Sequence, residues 1–417
     1  MHYAAEGGNH NIIDSIASRQ LPSLVNAEDH RGHSPLQLAA RSGIIEVVNA
    51  LIEYGALLTA DQAIYYAATD AIGLRLLQLF AGFVEDPDLS RALQNASQKG
   101  HLGTLRLLIK EYWPERLDPN CIDPEGKTPL ILAAEAGQIG SIKILITVTG
   151  IAVEKGDRQQ RTALSYAAQH GHLGVVEMLA EYLEVDVALE DADHRSPLFY
   201  AAMSGHLSVT KALMAVSRAR RPSQSDLFSP MCAAARAGHC EIVRFLLREG
   251  AGAVLADPPE RTDVLKHALR EGHAGVVRTF FRHGWRNTHD DLSPLHVAVK
   301  HADVVREVLQ YVPVDTPALN GVTALGLAVQ NGYIESVLVL LDSGADVLWR
   351  DTQGRTTLHY AVAAQRESNL PTQKRILPGE ILGLLLQSLN SAKSAEIADN
   401  QGNTPLCDAV VAGDPCG

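Results

Sequence analysis

A phrase returns along this chain about every 34 residues. It reads RGHSPLQLAARSG at 31–43, GKTPLILAAEAGQ at 126–138, QRTALSYAAQHGH at 160–172, HRSPLFYAAMSGH at 194–206 and GRTTLHYAVAA at 354–364. Indexed on the first alanine of each Ala-Ala or Ala-x pair, from Ala4 to Ala409, ten of the twelve gaps lie between 29 and 37 residues. Self-similarity at a fixed period specifies architecture before any single residue does. A chain of 417 residues built this way lengthens by adding neighbours, with no central core to outgrow.

Each period has the same internal order. A polar turn opens it, as in Asp123-Pro124-Glu125-Gly126 and Asp351-Thr352-Gln353-Gly354, where Asp and Gly suit turn geometry. Then come Thr128-Pro129, Ser196-Pro197, Ser293-Pro294 and Thr404-Pro405. A hydroxyl at the N-cap followed by proline predicts a helix start. The helix is alanine-rich and stops at a glycine, often with histidine next: Gly100-His101, Gly171-His172, Gly205-His206, Gly238-His239 and Gly272-His273. A second helix follows, with Val175, Val176, Met178 and Leu179, or Ile242, Val243, Leu246 and Leu247, at helical spacing.

The turn, the Thr-Pro-Leu-His phrase, the alanine pair, the Gly-His phrase and the leucine pair together resemble the ankyrin repeat family, and Gly344-Ala345-Asp346-Val347 resembles its closing phrase. The resemblance covers nearly all of 1–417, as one continuous array of about 13 units. It implies an all-α solenoid of helix-turn-helix units with projecting finger turns. The units near 57–118 are degenerate: Gln62-Ala63-Ile64 and Arg91-Ala92-Leu93 stand where Thr-Pro-Leu belongs, which predicts trimmed fingers. Asp263-Val264-Leu265 departs likewise. An insertion near 365–378, bearing Pro371, Lys374, Arg375 and Pro378, reads as a surface loop or a partner-binding loop. The first and last units read as incomplete, so a segment of a longer protein or a shortened gene product is expected.

Composition narrows the class. No apolar run approaches the length of a membrane-spanning helix, so no membrane insertion is expected. The start, Met1-His2-Tyr3-Ala4-Ala5-Glu6, lacks the pattern of a signal peptide. Five cysteines without a Cys-x-x-Cys pair fit reduced thiols, so a cytoplasmic or nuclear location is expected. A net charge of −12 argues against an extended nucleic-acid surface.

No motif carries chemistry. Gly126-Lys127-Thr128 lacks the earlier glycine of a phosphate loop, since Cys121 stands there, and it falls in register with Gly354-Arg355-Thr356. The Gly-His histidines come one per repeat, too far apart to share an ion, and are expected to bond to local turn backbone; His289 and His296 lie in separate positions. There is no His-Glu-x-x-His, no Gly-x-Ser-x-Gly and no Asp-His-His-Cys. The sequon Asn95-Ala96-Ser97 lies in a predicted helix. No metal, cofactor or catalytic residue is therefore expected. Arg220-Arg221-Pro222-Ser223 resembles a basophilic kinase site at Ser223.

The resemblance implies partner binding through finger tips and inner helices. The slot before Thr or Ser holds Lys127, Arg161 and Arg195 at a spacing of 34, one row on successive fingers. The slot after the alanine pair holds Arg236, Arg270 and Lys300, a second basic row, and Met203 in an earlier unit. Leu227 and Phe228, placed on the next finger, either form an apolar anchor or pack between fingers. Cations in rows suit an extended acidic segment, although exposed charges also serve simply as a solvated face. The expected function is a non-catalytic interaction scaffold or adaptor. The alternative is a ligand-sensing or autoinhibitory part of a larger receptor-like or signalling protein, and the third an enzyme with an unrecognised site.

Overall fold

The computed structural model describes residues 1–17, 22–56, 67, 69–80, 86–182, 185–220, 224–251, 259–285, 292–366, 378–388 and 396–407. Among these residues the regular structure is helical, with no strand. The chain divides into two compact units, Met1–Pro222 and Ser223–Gly417, and each is described by itself.

The helix starts form as their sequence dictates. Thr128, Thr162, Ser196 and Thr323 each accept a hydrogen bond from the backbone N–H three residues on. Ser34 completes a reciprocal capping box with Gln37. The helices that follow are Pro35–Ser42, Pro129–Glu135, Ala163–His170, Pro197–Met203 and Ala324–Gln330. Gly43 and Gly171 stop theirs in the left-handed region, which glycine enters without a Cβ penalty.

Packing follows the period. In the first unit the Pro129–Glu135, Ala163–His170 and Pro197–Met203 helices stack in sequence, and Leu173–Glu181 packs on Leu207–Arg220. The alanine pairs Ala133-Ala134, Ala167-Ala168 and Ala201-Ala202 are fully buried, so the inner helices approach closely. Val175, Val176 and Leu179 fill the second layer, and Met178 is half-buried. In the second unit Ile242, Val243, Leu246 and Leu247 take the same role on Cys240–Arg248.

The finger turns are held by one aspartate each. Asp123 Oδ1 accepts from Glu125 N and Lys127 N, Asp157 from Gln159 N and Arg161 N, and Asp191 from Asp193 N and Arg195 N. Asp29, Asp351 and Asp399 repeat the pattern. At three places without such an aspartate the helix runs back into the finger's place, whereas the Ala324–Gln330 helix, with Ala318 at that position, still starts after Thr323. Asp86–Lys99, Gln224–Arg236 and Pro259–Glu271 have 14, 13 and 13 residues. The Pro that would have begun its helix, Pro230, consequently lies inside one.

That extension corrects one expectation. Leu227 and Phe228 are helical, not on a finger; Leu227 is buried and Phe228 half-buried. The expected insertion lies largely outside the described residues, as do much of the first degenerate unit and the last unit beyond 407. The second degenerate unit is a helical pair, Asp86–Lys99 and Leu102–Tyr112.

Candidate functional site

The first unit turns its row of finger cations inward. Lys127 Nζ contacts Glu135 at 2.9 Å and Glu125 at 3.1 Å, and lies 4.9 Å from the centre of the Tyr166 ring. Burial alone would lower its pKa, but the two carboxylates hold it above the ordinary lysine value. Arg161 stands between two rings, 4.0 Å from Tyr166 and 4.2 Å from Tyr200, and donates to Gln169. Its Nε is buried without a hydrogen-bond partner among the described residues. Arg195 lies against Phe199 and pairs with Asp193 at 3.1 Å.

The rings are fixed in turn by the fingers. Tyr166 donates its hydroxyl to Asp157 at 2.8 Å, and Tyr200 donates to Asp191. The second unit repeats the device once: Tyr360 donates to Asp351 at 2.6 Å while Arg355 contacts both. The underlying sequence pattern is Asp, an Arg four residues on, and a Tyr five beyond that, at 157/161/166, 191/195/200 and 351/355/360. Reading the basic slot alone missed it, although the spacing was visible. Lys127, Arg161 and Arg195 are thus one ladder across successive repeats, in which Lys127 and Arg161 are engaged by neighbouring groups while Arg195 stays exposed beside Asp193.

Three of the Gly-His histidines, and His301 after Lys300, do more than brace their own turns. His172 Nε2 donates to Glu135 O at 2.9 Å, His206 to Gln169 O at 3.0 Å, His273 to Arg236 O at 3.0 Å and His301 to Arg270 O at 2.8 Å. Each bond crosses to the preceding repeat, so the expectation of local bonding is corrected. Each ring lies against the glycine that ends that repeat's inner helix. A Cβ built on Gly171 would stand 2.6 Å from the His206 ring, and one on Gly238 2.8 Å from the His273 ring.

Two further histidines tie neighbouring repeats from the helix start. His296 pairs with Ser293 Oγ at 2.7 Å and donates to Val322 O at 2.8 Å. Burial lowers its pKa, against the contrary pull of the Val322 carbonyl. His359 sits between Thr356 and Asn403 O in the same way. His289 and Ser223 lie outside the described residues. Asn95 is buried, so its sequon is closed to modification in the folded chain.

The second basic row is different. Arg236 ends the Gln224–Arg236 helix and Arg270 stands one residue from the end of Pro259–Glu271; both are exposed. Among the described residues neither side chain has a hydrogen-bond or ion-pair partner, and nor does Lys300. Lys300 is nevertheless out of the helical row. Its helix ends at Ala298, and it follows in the turn. Ala268 to His273 is five residues, whereas Ala298 to His301 is three, so the shortened stretch carries Lys300 past the helix end. Met203 closes the Pro197–Met203 helix at the equivalent slot, half-buried and in contact with other groups.

Among the described residues no group of three or more His, Cys, Asp or Glu lies together in a way that would hold a metal ion. No helix among them is long and apolar enough to cross a membrane.

Comparison with known proteins agrees with this geometry. A family model described as ankyrin repeats in three copies matches residues 1–62, 63–146, 93–191, 182–257, 231–316 and 265–351. Protein HOS4 of Saccharomyces cerevisiae is 38% identical over 98 residues, which are 22% of this chain and 9% of that protein. The chain therefore spans less than a tenth of that relative's length. Capped inner helices on buried alanine pairs, aspartate-held fingers and glycine-histidine stops recur at the matched positions, and the chain belongs to the ankyrin repeat family.

Proposed function

We propose that this chain is a non-catalytic interaction scaffold whose second unit binds an acidic segment of a partner protein through Arg236 and Arg270, with Lys300 beside them. Ankyrin repeats are in general protein-interaction modules. The observation that carries the finer reading is the contrast between the two basic rows. Lys127 and Arg161 are engaged by carboxylates, an amide and rings of their own and the following repeat. Arg236, Arg270 and Lys300 have no such partners among the described residues, in a chain of net charge −12. Their backbone is also held firmly, since His273 and His301 fix the carbonyls of Arg236 and Arg270. A pre-positioned arginine loses less freedom when it closes on a carboxylate.

The same reading places the protein in the cytoplasm or nucleus. Among the described residues Cys121, Cys232, Cys240 and Cys407 form no disulfide, which supports a reducing compartment. Burial pushes the Cys121 thiol up to about 11, so it stays protonated and unreactive at neutral pH.

The test is affinity capture from native lysate with wild type and with the Arg236→Ala/Arg270→Ala/Lys300→Ala variant, both checked for helical content. Partners held by wild type and lost by the variant support the reading. Partners retained by a folded variant would move the binding face elsewhere.

A further inference from the structure

Resting on that reading, we infer that the segment bound by Arg236 and Arg270 lies in the polyproline II conformation, with an acidic residue at every third position. The two arginines occupy equivalent places on successive inner helices, and those helices pack directly on one another. Equivalent positions on packed helices stand roughly 8–10 Å apart. A polyproline II segment has three residues per turn and rises about 3.1 Å per residue, so positions i and i+3 face the same way at about 9 Å.

The other backbone conformations fit less well. A β-strand turns every second residue to one side, which places like-facing carboxylates at about 6.7 or 13 Å. A helix brings i and i+7 to one side at about 10.5 Å. It also needs an apolar groove to receive its other contacts. The Gln224–Arg236 and Pro259–Glu271 helices show no exposed large apolar side chain. Besides the arginines, the exposed described residues of these helices and the turn after the first are Ser229, Ala237, Asp263 and Glu271, with Lys266 and His267 half-buried.

The chemistry at each contact is the same. A guanidinium offers two parallel N–H groups to one carboxylate. Arg236 and Arg270 each take one acidic side chain, three residues apart on the ligand. A third acid at i+6 runs on toward Lys300, which the turn sets apart from the helical pair. The His273 and His301 bonds keep the two arginine positions at a fixed separation, so the register is selected and total charge alone does not decide affinity.

The experiment measures fluorescence anisotropy of labelled peptides on the full chain and on Arg236→Gln/Arg270→Gln. One peptide repeats Glu-Pro-Pro; a second carries the same number of Glu at every second position with Thr between, and is brought to equal length with neutral Gly-Ser. A single-stranded oligothymidylate is the third probe. The Glu-Pro-Pro peptide is expected to bind at least about fivefold more tightly than the Glu-Thr peptide at physiological salt. That preference should vanish in the variant. Equal binding of both peptides, each weakened by the variant, would overturn the polyproline register while leaving an acidic partner for this face. Peptide binding indifferent to the variant would overturn both. Oligothymidylate binding more tightly than either peptide, and lost in the variant, would overturn both in favour of nucleic acid.

Discussion

Replacing Gly171 by alanine tests whether the histidine bond between repeats stabilises the stack. Gly171 has φ +75°, so alanine pays for the left-handed region, about 1–2 kcal/mol. Loss of glycine's freedom in the unfolded chain returns about 0.4–1 kcal/mol. Gly332 has φ +74° with nothing within 4 Å of a built Cβ, so Gly332→Ala isolates those two effects. At Gly171 the new Cβ falls 2.6 Å from the His206 ring, which must swing away and break its 3.0 Å bond to Gln169 O. A net hydrogen bond is worth about 0.5–1.5 kcal/mol. Gly171→Ala should therefore cost about 1 kcal/mol more than Gly332→Ala. Native-state hydrogen exchange reads this locally, as roughly fivefold lower protection in the Ala163–His170 and Pro197–Met203 helices. A His206→Ala background should bring the Gly171→Ala cost down to the Gly332→Ala level. Equal costs at the two glycines in the wild-type background would refute the reasoning.

Three further outcomes are expected. Arg161→Ala removes two cation–ring contacts and should destabilise the first unit by about 1–2 kcal/mol, seen as a lower urea midpoint; Arg236→Ala should leave that midpoint within about 0.5 kcal/mol of wild type. Tyr166, buried and donating to Asp157, is pushed up to about 12 from 10.0. A raised folded pKa gives stability that is complete below pH 10 and is lost as pH rises to about 12, so ultraviolet titration should show a late tyrosinate whose appearance accompanies unfolding and which moves earlier in Asp157→Asn. Burial would raise the Asp70 pKa, but Thr104 and the N–H groups of Gly103 and Thr104 outweigh it and hold it below 3.8. That stability is present above the unfolded pKa and lost as pH falls through the lower folded value, so Asp70→Asn should flatten the acid limb of the thermal midpoint below about pH 4, and an unchanged limb would count against the capping role.

The helix starts were legible because each is settled within four residues: Thr128 or Ser196 caps its own helix whatever surrounds it. The stops at Gly171 and Gly238 were legible for the same reason. The ladder was not, because Arg161 meets Gln169 eight residues on and Tyr200 in the following repeat, contacts that arise only when repeats stack. The fate of Leu227 turned on an absence. No finger aspartate stands five residues before Ser229, and the helix there starts early and overruns the Ser-Pro signal. Lys300 shows the hazard of indexing on one landmark: counted from Ala298 it belongs with Arg270, but counted back from His301 it does not.

The histidine bonds also mean that the mechanical part is offset from the written one. A period read from turn to turn is cut by these bonds, because the imidazole of one repeat grips the carbonyl of the last. The part that transfers whole runs instead from one glycine to the next. Excising residues 138–171 would join Gly137 to His172 and bring His206 onto Glu135 O, the carbonyl that His172 held before. A cut that is not a whole number of such spans would leave a ring facing the wrong residue. The chain is interchangeable in steps of one glycine-to-glycine span, like a zip that closes only tooth on tooth.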